Sequence, residues 1–245
     1  MRNANLPIQL KPKHAFKLIR LGKKNDGGYC VGHNSVHNSK VLISLGINDD
    51  WSFEKYFKRI NPRLNILCFD DSLDFIFIVK TFLKQSFRFF SFRSNSLIQP
   101  FINIFDYFLF IKKKNKKKRI SYKDIQSIAK PFSKKLFIKM DIEGSEYRVL
   151  NDLIKIKKKL IGLAIEFHDV DLNIEKILSF NKKIGLKLVN VHANNWGGVE
   201  NSFPTSIELT YDRDPLVESK FFTYPCKLDQ INNPRATDIK ILFKK

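Results

Sequence analysis

The strongest constraint on this 245-residue chain is a set of short apolar runs that each stop at a glycine, an acid or a histidine. "KVLISL" stops at Gly46, "LNILCF" at Asp70, "LFIKM" at Asp141 and "LIGLAIEF" at His168. Between them lie stretches with helical spacing. Trp51, Phe53, Tyr56, Phe57 and Ile60 form one, with Asp49 and Asp50 placed to cap it. "SLDFIFIVKTFLK", "ISYKDIQSIAK", "SEYRVLNDLIKI" and "IEKILSFNKKIG" supply the others, the last closed by Gly185. "FRFFSF" (Phe87 to Phe92) is a third expected strand. Alternating strands and helices argue for an α/β fold, a mostly parallel sheet with helices on both faces. "LKLVNVHA" and "TSIELTY" have no helix between them, so they are expected to close one edge as an antiparallel hairpin. Ligands of such sheets bind beyond the carboxyl ends of the strands. Gly46, Asp70, Asp141, His168 and His192 are therefore expected on one rim.

Composition sets limits. The net charge is +20, from 44 basic and 24 acidic residues. Lysine dominates arginine, and Lys, Asn, Ile and Phe are all abundant, which points first to compositional bias. Nucleic-acid binding is the second explanation. Cys30, Cys68 and Cys226 are odd in number and scattered, as in a reduced cytoplasmic chain without a disulfide framework. No signal-type leader and no apolar run of about 20 residues occurs. Residues 1–39 read as an N-terminal segment bearing the loop "NDGGY", and residues 40–245 as one domain with an irregular basic insertion at 95–119. Within it, the apolar Leu97–Ile111 precedes "KKKNKKKR". That is a core helix and solvated loop, or a peripheral contact with anionic lipid.

The first crossover, "SLGINDDWSFE", lacks a dinucleotide or diphosphate fingerprint. Gly46 and Asn48 followed by a helix start suit a small carboxylate instead. Asp70 stands where ribose hydroxyls are gripped in nucleoside-binding α/β folds. A nucleoside with a small charged tail describes S-adenosylmethionine. On the other reading, Gly46 is a turn residue and Asp70 caps the next helix.

"DIEGSEYRVL" resembles the D-x-E-G-x-E-x-x-V-L signature of FkbM-type S-adenosylmethionine-dependent methyltransferases. "SLGINDDWSFE", "KKNDGGYCV", "LAIEFHD", "LVNVHANNWG" and "PTSIELTY" are similar to further segments of that family, in order, over about Leu21 to Tyr211. The resemblance implies a class I methyltransferase (Rossmann-like) fold, a seven-stranded sheet with a reversed edge strand. It also implies methylation of a hydroxyl on a glycan or small metabolite. Gly46, Asn48, Asp49, Asp70 and Asp141 fall in its cofactor region. Many relatives carry Asp, which orients the methionine end, where this chain has Ser44.

Methylating a hydroxyl requires a proton acceptor. His192 is the first candidate and His168 the second; either could instead order a loop. Asp141 at a buried strand's exit needs a partner. Glu143 and Glu146 could serve the site or merely favour a helix N-terminus. Asp141, Glu143 and His168 could share a divalent metal, but no ligand spacing marks a metal site, and none is expected. Asp26 and Tyr29 read as a substrate loop. Asn194, Asn195 and Trp196 read as a polar–aromatic loop able to stack on a sugar. The competing expectation is an inactive module that binds nucleic acid or an acidic glycan through its basic surface.

Overall fold

The computed structural model describes residues 2–73, 76, 79–80, 83, 105–116 and 118–244. The chain opens with β1 (Arg2–Pro7), β2 (Ala15–Phe16), β3 (Leu18–Leu21) and β4 (Tyr29–Gly32). Helix α1 (His33–Asn38), β5 (Val41–Leu45), α2 (Ser52–Ile60) and β6 (Asn65–Phe69) follow. After β7 (Asn115–Lys116) come α3 (Asp124–Ala129), β8 (Leu136–Met140), α4 (Leu150–Ile156), β9 (Leu160–Phe167) and α5 (Val170–Lys183). The chain ends with β10 (Lys187–Glu200), β11 (Phe203–Asp212), β12 (Val217–Ser219) and β13 (Ile239–Lys244).

Among the described residues, seven strands form one sheet in the order β10-β11-β9-β8-β5-β6-β7. The neighbours from β9 to β7 run parallel. Strand β11 runs antiparallel to both β10 and β9. The reversed strand is thus not the edge strand expected from the sequence; it lies one place in, and β10 is the edge. The reason is local. Only Asn201 and Ser202 separate β10 from β11, both with positive φ, as a two-residue hairpin requires. The returning strand must pair with β10. Its continuous buried run from Ser206 to Asp212 is then covered on the other side by β9.

Residues of each central strand alternate between two apolar clusters. Val41, Ile43, Leu45, Leu136, Ile138 and Met140 pack with Ile125, Leu153 and Phe180 of helices α3, α4 and α5. Leu42, Phe137 and Ala164 pack with Val36, Phe53 and Phe57 of α1 and α2. The period of two along a strand makes this division unavoidable. Strand β4 packs into the second cluster through Tyr29 and Val31, which brings the "NDGGY" turn to the sheet's rim. Strand β1 pairs in parallel with β13, so the two ends of the chain are held together.

The neighbour of β6 is β7, inside the basic run that read as irregular insertion. Asn115 holds it there: its side-chain oxygen accepts from Asp70 N–H at 3.0 Å, and its amide donates to the carbonyls of Asp70 and Leu73. The expected strand at Phe87–Phe92, most of the expected helix after Ser72, and residues 97–104 of the apolar stretch lie outside the described residues. No described helix is long and apolar enough to cross a membrane.

Candidate active site

Two cavities open off the carboxyl ends of the central strands. The first, of about 600 Å³, is walled by the Gly46–Asp50 loop after β5, by Asp70 to Ser72 after β6 and by Asp141 to Glu143 after β8. The second, of about 440 Å³, is lined by Glu166, His168, Asp169, Asn194, Trp196, Thr205 and Ser206. Asp26, Asp141 and Glu143 line both, so the cavities meet at the end of β8.

The first wall is held by backbone geometry that the sequence permits at few positions. Gly46 has φ +73°, and a Cβ there would stand 1.7 Å from the Asp141 carbonyl oxygen. Only glycine allows the β5 and β8 loops to approach this closely. Asn48 follows in the same left-handed region, as does Glu143 across the cavity. Such positions cost energy and concentrate at functional sites.

Asp70 locks this loop. Its Oδ2 accepts from the N–H groups of Ile47 at 2.9 Å and Asn48 at 2.8 Å. Its Oδ1 accepts from the N–H and hydroxyl of Ser72 and from Leu73 N–H. Burial alone would raise its pKa, but the Ser72 hydroxyl and the loop N–H groups outweigh burial and hold it below the usual value. The N–H groups of Ile47 and Asn48 are thus already taken, so they form no open anion cradle of the kind expected. Asp70 and the exposed Asp71 both line the cavity.

Ser44 does not leave a gap. It donates to Glu54 Oε1, on a fully buried side chain of α2. Lys139, opposite Ser44 in the sheet, is buried too. It donates to the Gly46 carbonyl at 2.6 Å and lies 3.8 Å from Asp141 Oδ2. Burial would lower the Lys139 pKa, but the carboxylates of Asp141, Glu54 and Glu166 more than offset this and raise it. Ser44 thus sits against a carboxylate of the facing helix, and Lys139 stays cationic beneath the junction.

The second cavity is built around Glu166. Asn194 donates to its Oε1 at 2.8 Å, and the Tyr29 hydroxyl lies 3.2 Å from its Oε2. Burial, with Asp141 and Glu208 nearby, pushes its pKa well up. Glu208 stands directly across the ladder from it. His168 Nδ1 lies 3.1 Å from Oε1 of the fully buried Glu146, and its Nε2 lies 3.4 Å from Glu143 Oε2. Burial would lower the His168 pKa, but the bond to Glu146 and the charges of Glu166, Glu146 and Asp141 carry it up to about 9.

Trp196 is exposed because the β10–β11 ladder breaks beside it. Asn195 to Gly198 oppose only Thr205, a bulge that turns the indole outward over the cavity. Asn194 braces both features, since its Oδ1 accepts from Trp196 N–H at 2.9 Å.

The structure thus brings Asp26, Gly46, Asn48, Asp49, Asp70, Asp141, Glu143, His168, Asn194 and Trp196 to the two cavities. Tyr29 lies behind them, buried against Glu166 and Asp141. His192, the first candidate base, lines neither. It is buried under the C-terminal segment, with Nε2 at 2.9 Å from Asn232 Oδ1, and Asn232 donates on to Glu208. Its position on β10 two residues before Asn194 gives it the same face, but 229–232 cover it. Glu166 and Lys139 line the cavities and were missed as site residues. The signal for both was a charge inside an otherwise apolar strand, in "LIGLAIEF" and "LFIKM".

Comparison with known proteins agrees with this layout. The model of the methyltransferase FkbM domain matches residues 23–188, from before Asp26 to beyond His168. No curated protein matches the chain. Among solved structures, the Methanococcus jannaschii fibrillarin pre-rRNA processing protein is similar at TM-score 0.37 and 11% identity, over 83% of this chain and 84% of that one. Precorrin-6y C5,15-methyltransferase from Geobacter metallireducens gives 0.35 and 10%, over 74% and 86%. A TehB-like SAM-dependent methyltransferase from Corynebacterium glutamicum gives 0.35 and 14%, over 72% and 82%. None of these three scores is high enough to bear on fold or function. The family match spans more than half of the chain, and on it the chain belongs to the FkbM methyltransferase-domain family.

Proposed function

We infer that the protein is an S-adenosylmethionine-dependent O-methyltransferase acting on a hydroxyl of a sugar, glycan or related metabolite. The observation that carries this is the pair of cavities meeting at Asp26, Asp141 and Glu143. A donor in one and an acceptor in the other would be juxtaposed at that boundary, which is where orientation lowers the barrier.

The first cavity fits a zwitterionic nucleoside. Lys23, Lys118 and Arg119 offer cations to a carboxylate, and Asp26, Asp49, Asp71 and Asp141 offer anions to an ammonium and to ribose hydroxyls. Phe53, Phe69 and Ile120 supply apolar wall. S-adenosylmethionine would supply there an electrophilic methyl group on a sulfonium.

The second cavity favours a neutral or cationic acceptor. Asp26, Asp141, Glu143, Glu166 and Asp169 line it against the single imidazole of His168. A phosphate or nucleic-acid strand would meet repulsion there, which disfavours the binding-module alternative. Glu166 lines this cavity with Oε1 on the Asn194 amide and Oε2 beside the Tyr29 hydroxyl, which places a carboxyl group where a bound hydroxyl could give up its proton. Trp196 offers an exposed indole to a sugar ring.

Calorimetric titration with S-adenosylmethionine and S-adenosylhomocysteine, followed by transfer of labelled methyl to neutral glycosides, tests the reading. Saturable binding and label in a glycoside ether are expected. A folded protein that binds neither nucleoside would overturn it.

A further inference from the structure

We propose that Asp141, Glu143 and His168 bind a divalent cation of the Mn²⁺ type where the two cavities meet, and that an acceptor with adjacent hydroxyls completes its coordination. The second half rests on the methyl-transfer reading; cation binding itself does not.

The three side chains come from two strand ends, yet one ligand atom of each lies within 4.8 Å of the others. His168 Nε2 and Glu143 Oε2 are 3.4 Å apart. Ligand atoms on an octahedral cation with bonds of about 2.1 Å stand about 3 Å apart when adjacent and about 4.2 Å when opposite. The 3.4 Å pair would close by about 0.4 Å to stand adjacent, and the widest pair by up to about 0.6 Å to stand opposite; the Glu143 side chain is 84% exposed and able to move.

The imidazole is mounted as metal-binding histidines are. Its Nδ1 faces Glu146 Oε1, which directs Nε2 toward Glu143 and Glu166. The same Glu146 oxygen accepts from the N–H groups of Ile142 and Gly144, both at 3.2 Å. One buried carboxylate thus positions both the ring and the loop that bears the other two ligands. Glu146 Oε2 is buried with no hydrogen-bond partner among the described residues, a costly arrangement to keep for helix capping alone. Glu143 is held in the left-handed region, at φ 51°.

Charge points the same way. Five carboxylates line the second cavity in a protein of net charge +20. Lys139 approaches Asp141 alone among them, and its ammonium is committed to the Gly46 carbonyl. One imidazole with two carboxylates suits Mn²⁺ better than the all-oxygen preference of Ca²⁺. Three protein ligands leave about three octahedral positions, and the cavity past them is polar, with Asn194, Thr205 and Ser206. A hydroxyl on the cation would release its proton to Glu166 more readily than a free one.

The test is titration of the metal-free full-length protein with MnCl₂, by calorimetry and by loss of the free-ion paramagnetic resonance signal, without cofactor or acceptor. One saturable site is expected, weakened at least about 10-fold by Glu143→Gln and by His168→Ala. Glu143 is exposed, so its variant folds irrespective of the result. Absence of saturable binding, or a site equally tight in both variants, overturns the proposal. A parallel titration with S-adenosylmethionine in chelator separates the two readings. Nucleoside binding without Mn²⁺ binding removes the cation and leaves methyl transfer standing; Mn²⁺ binding alone supports the cation site while the methyl-transfer reading fails.

Discussion

The hydroxyl of Tyr29 lies 3.1 Å from Asp141 Oδ2, joining residues 112 positions apart in the sequence. The phenol carries one proton and stands 3.2 Å from Glu166 Oε2 as well, so it can donate to only one of the two carboxylates at a time. Burial and the neighbouring carboxylates push the Tyr29 pKa far up, which keeps it a donor at any working pH. The "NDGGY" turn, the end of β8 and the end of β9 are tied at this point, and the site's proton inventory is set there.

Glu166→Gln should lower turnover by about 10²- to 10⁴-fold while leaving S-adenosylmethionine affinity within a few-fold. The prediction follows from Glu166 facing the second cavity and not the first. Rates and nucleoside titration on the same preparation check it. Unchanged turnover would mean that the proton leaves by another group.

Asp70→Asn should cost about 1–3 kcal/mol and weaken nucleoside binding, because an amide nitrogen cannot accept from the loop N–H groups. The pH dependence has a definite sign. The folded pKa is depressed, so the carboxylate's contribution is present above the unfolded value of about 3.9. It is lost as the pH falls through the lower folded value. Urea melts at pH 7 and toward pH 3 should show the gap between wild type and variant closing in acid; a gap of constant size would contradict this account.

Gly46→Ala should abolish nucleoside binding or lower the melting temperature sharply. The added methyl would meet the Asp141 carbonyl, a backbone atom with no room to yield, at a left-handed residue. Wild-type melting and binding in this variant would show that the loop is not held as described.

His192→Ala should act on stability and not on chemistry. Truncation leaves the Asn232 side-chain oxygen, which sits in the buried network with Glu208, without its partner. Each 1 kcal/mol lost lowers the melting temperature by about 2–4 °C in a chain of this size. Turnover per folded molecule should stay within about twofold. A stable variant with a large loss of kcat would restore His192 as the base.

Trp196→Ala should raise the acceptor KM by about 3- to 10-fold, the worth of one aromatic contact, and leave S-adenosylmethionine affinity alone. Steady-state kinetics with a glycoside acceptor read this directly. An equal effect on both substrates would mean that the bulge, and not the ring, matters.

The amino-acid sequence by itself determined the strand–helix alternation, the positions of β5, β6, β8 and β9 within a residue or two, and the rim on which Gly46, Asp70, Asp141 and His168 gather. Local hydrophobic periodicity and strand-ending residues carry that information, and they need no knowledge of what packs above. The FkbM motifs carried the family as well. Only the tertiary structure decided which way the rim side chains turn. Asp70 points inward to its own loop, because the Gly46 turn presents two N–H groups to it. His192 is capped by a segment 40 residues further on, and β11 slips between β10 and β9. Glu166 became a site residue because Tyr29 and Asn194, from strands distant in sequence, satisfy its oxygens. A period of two tells which face a residue occupies; the partner waiting on that face is set by long-range packing, and a buried charge takes its role from that partner.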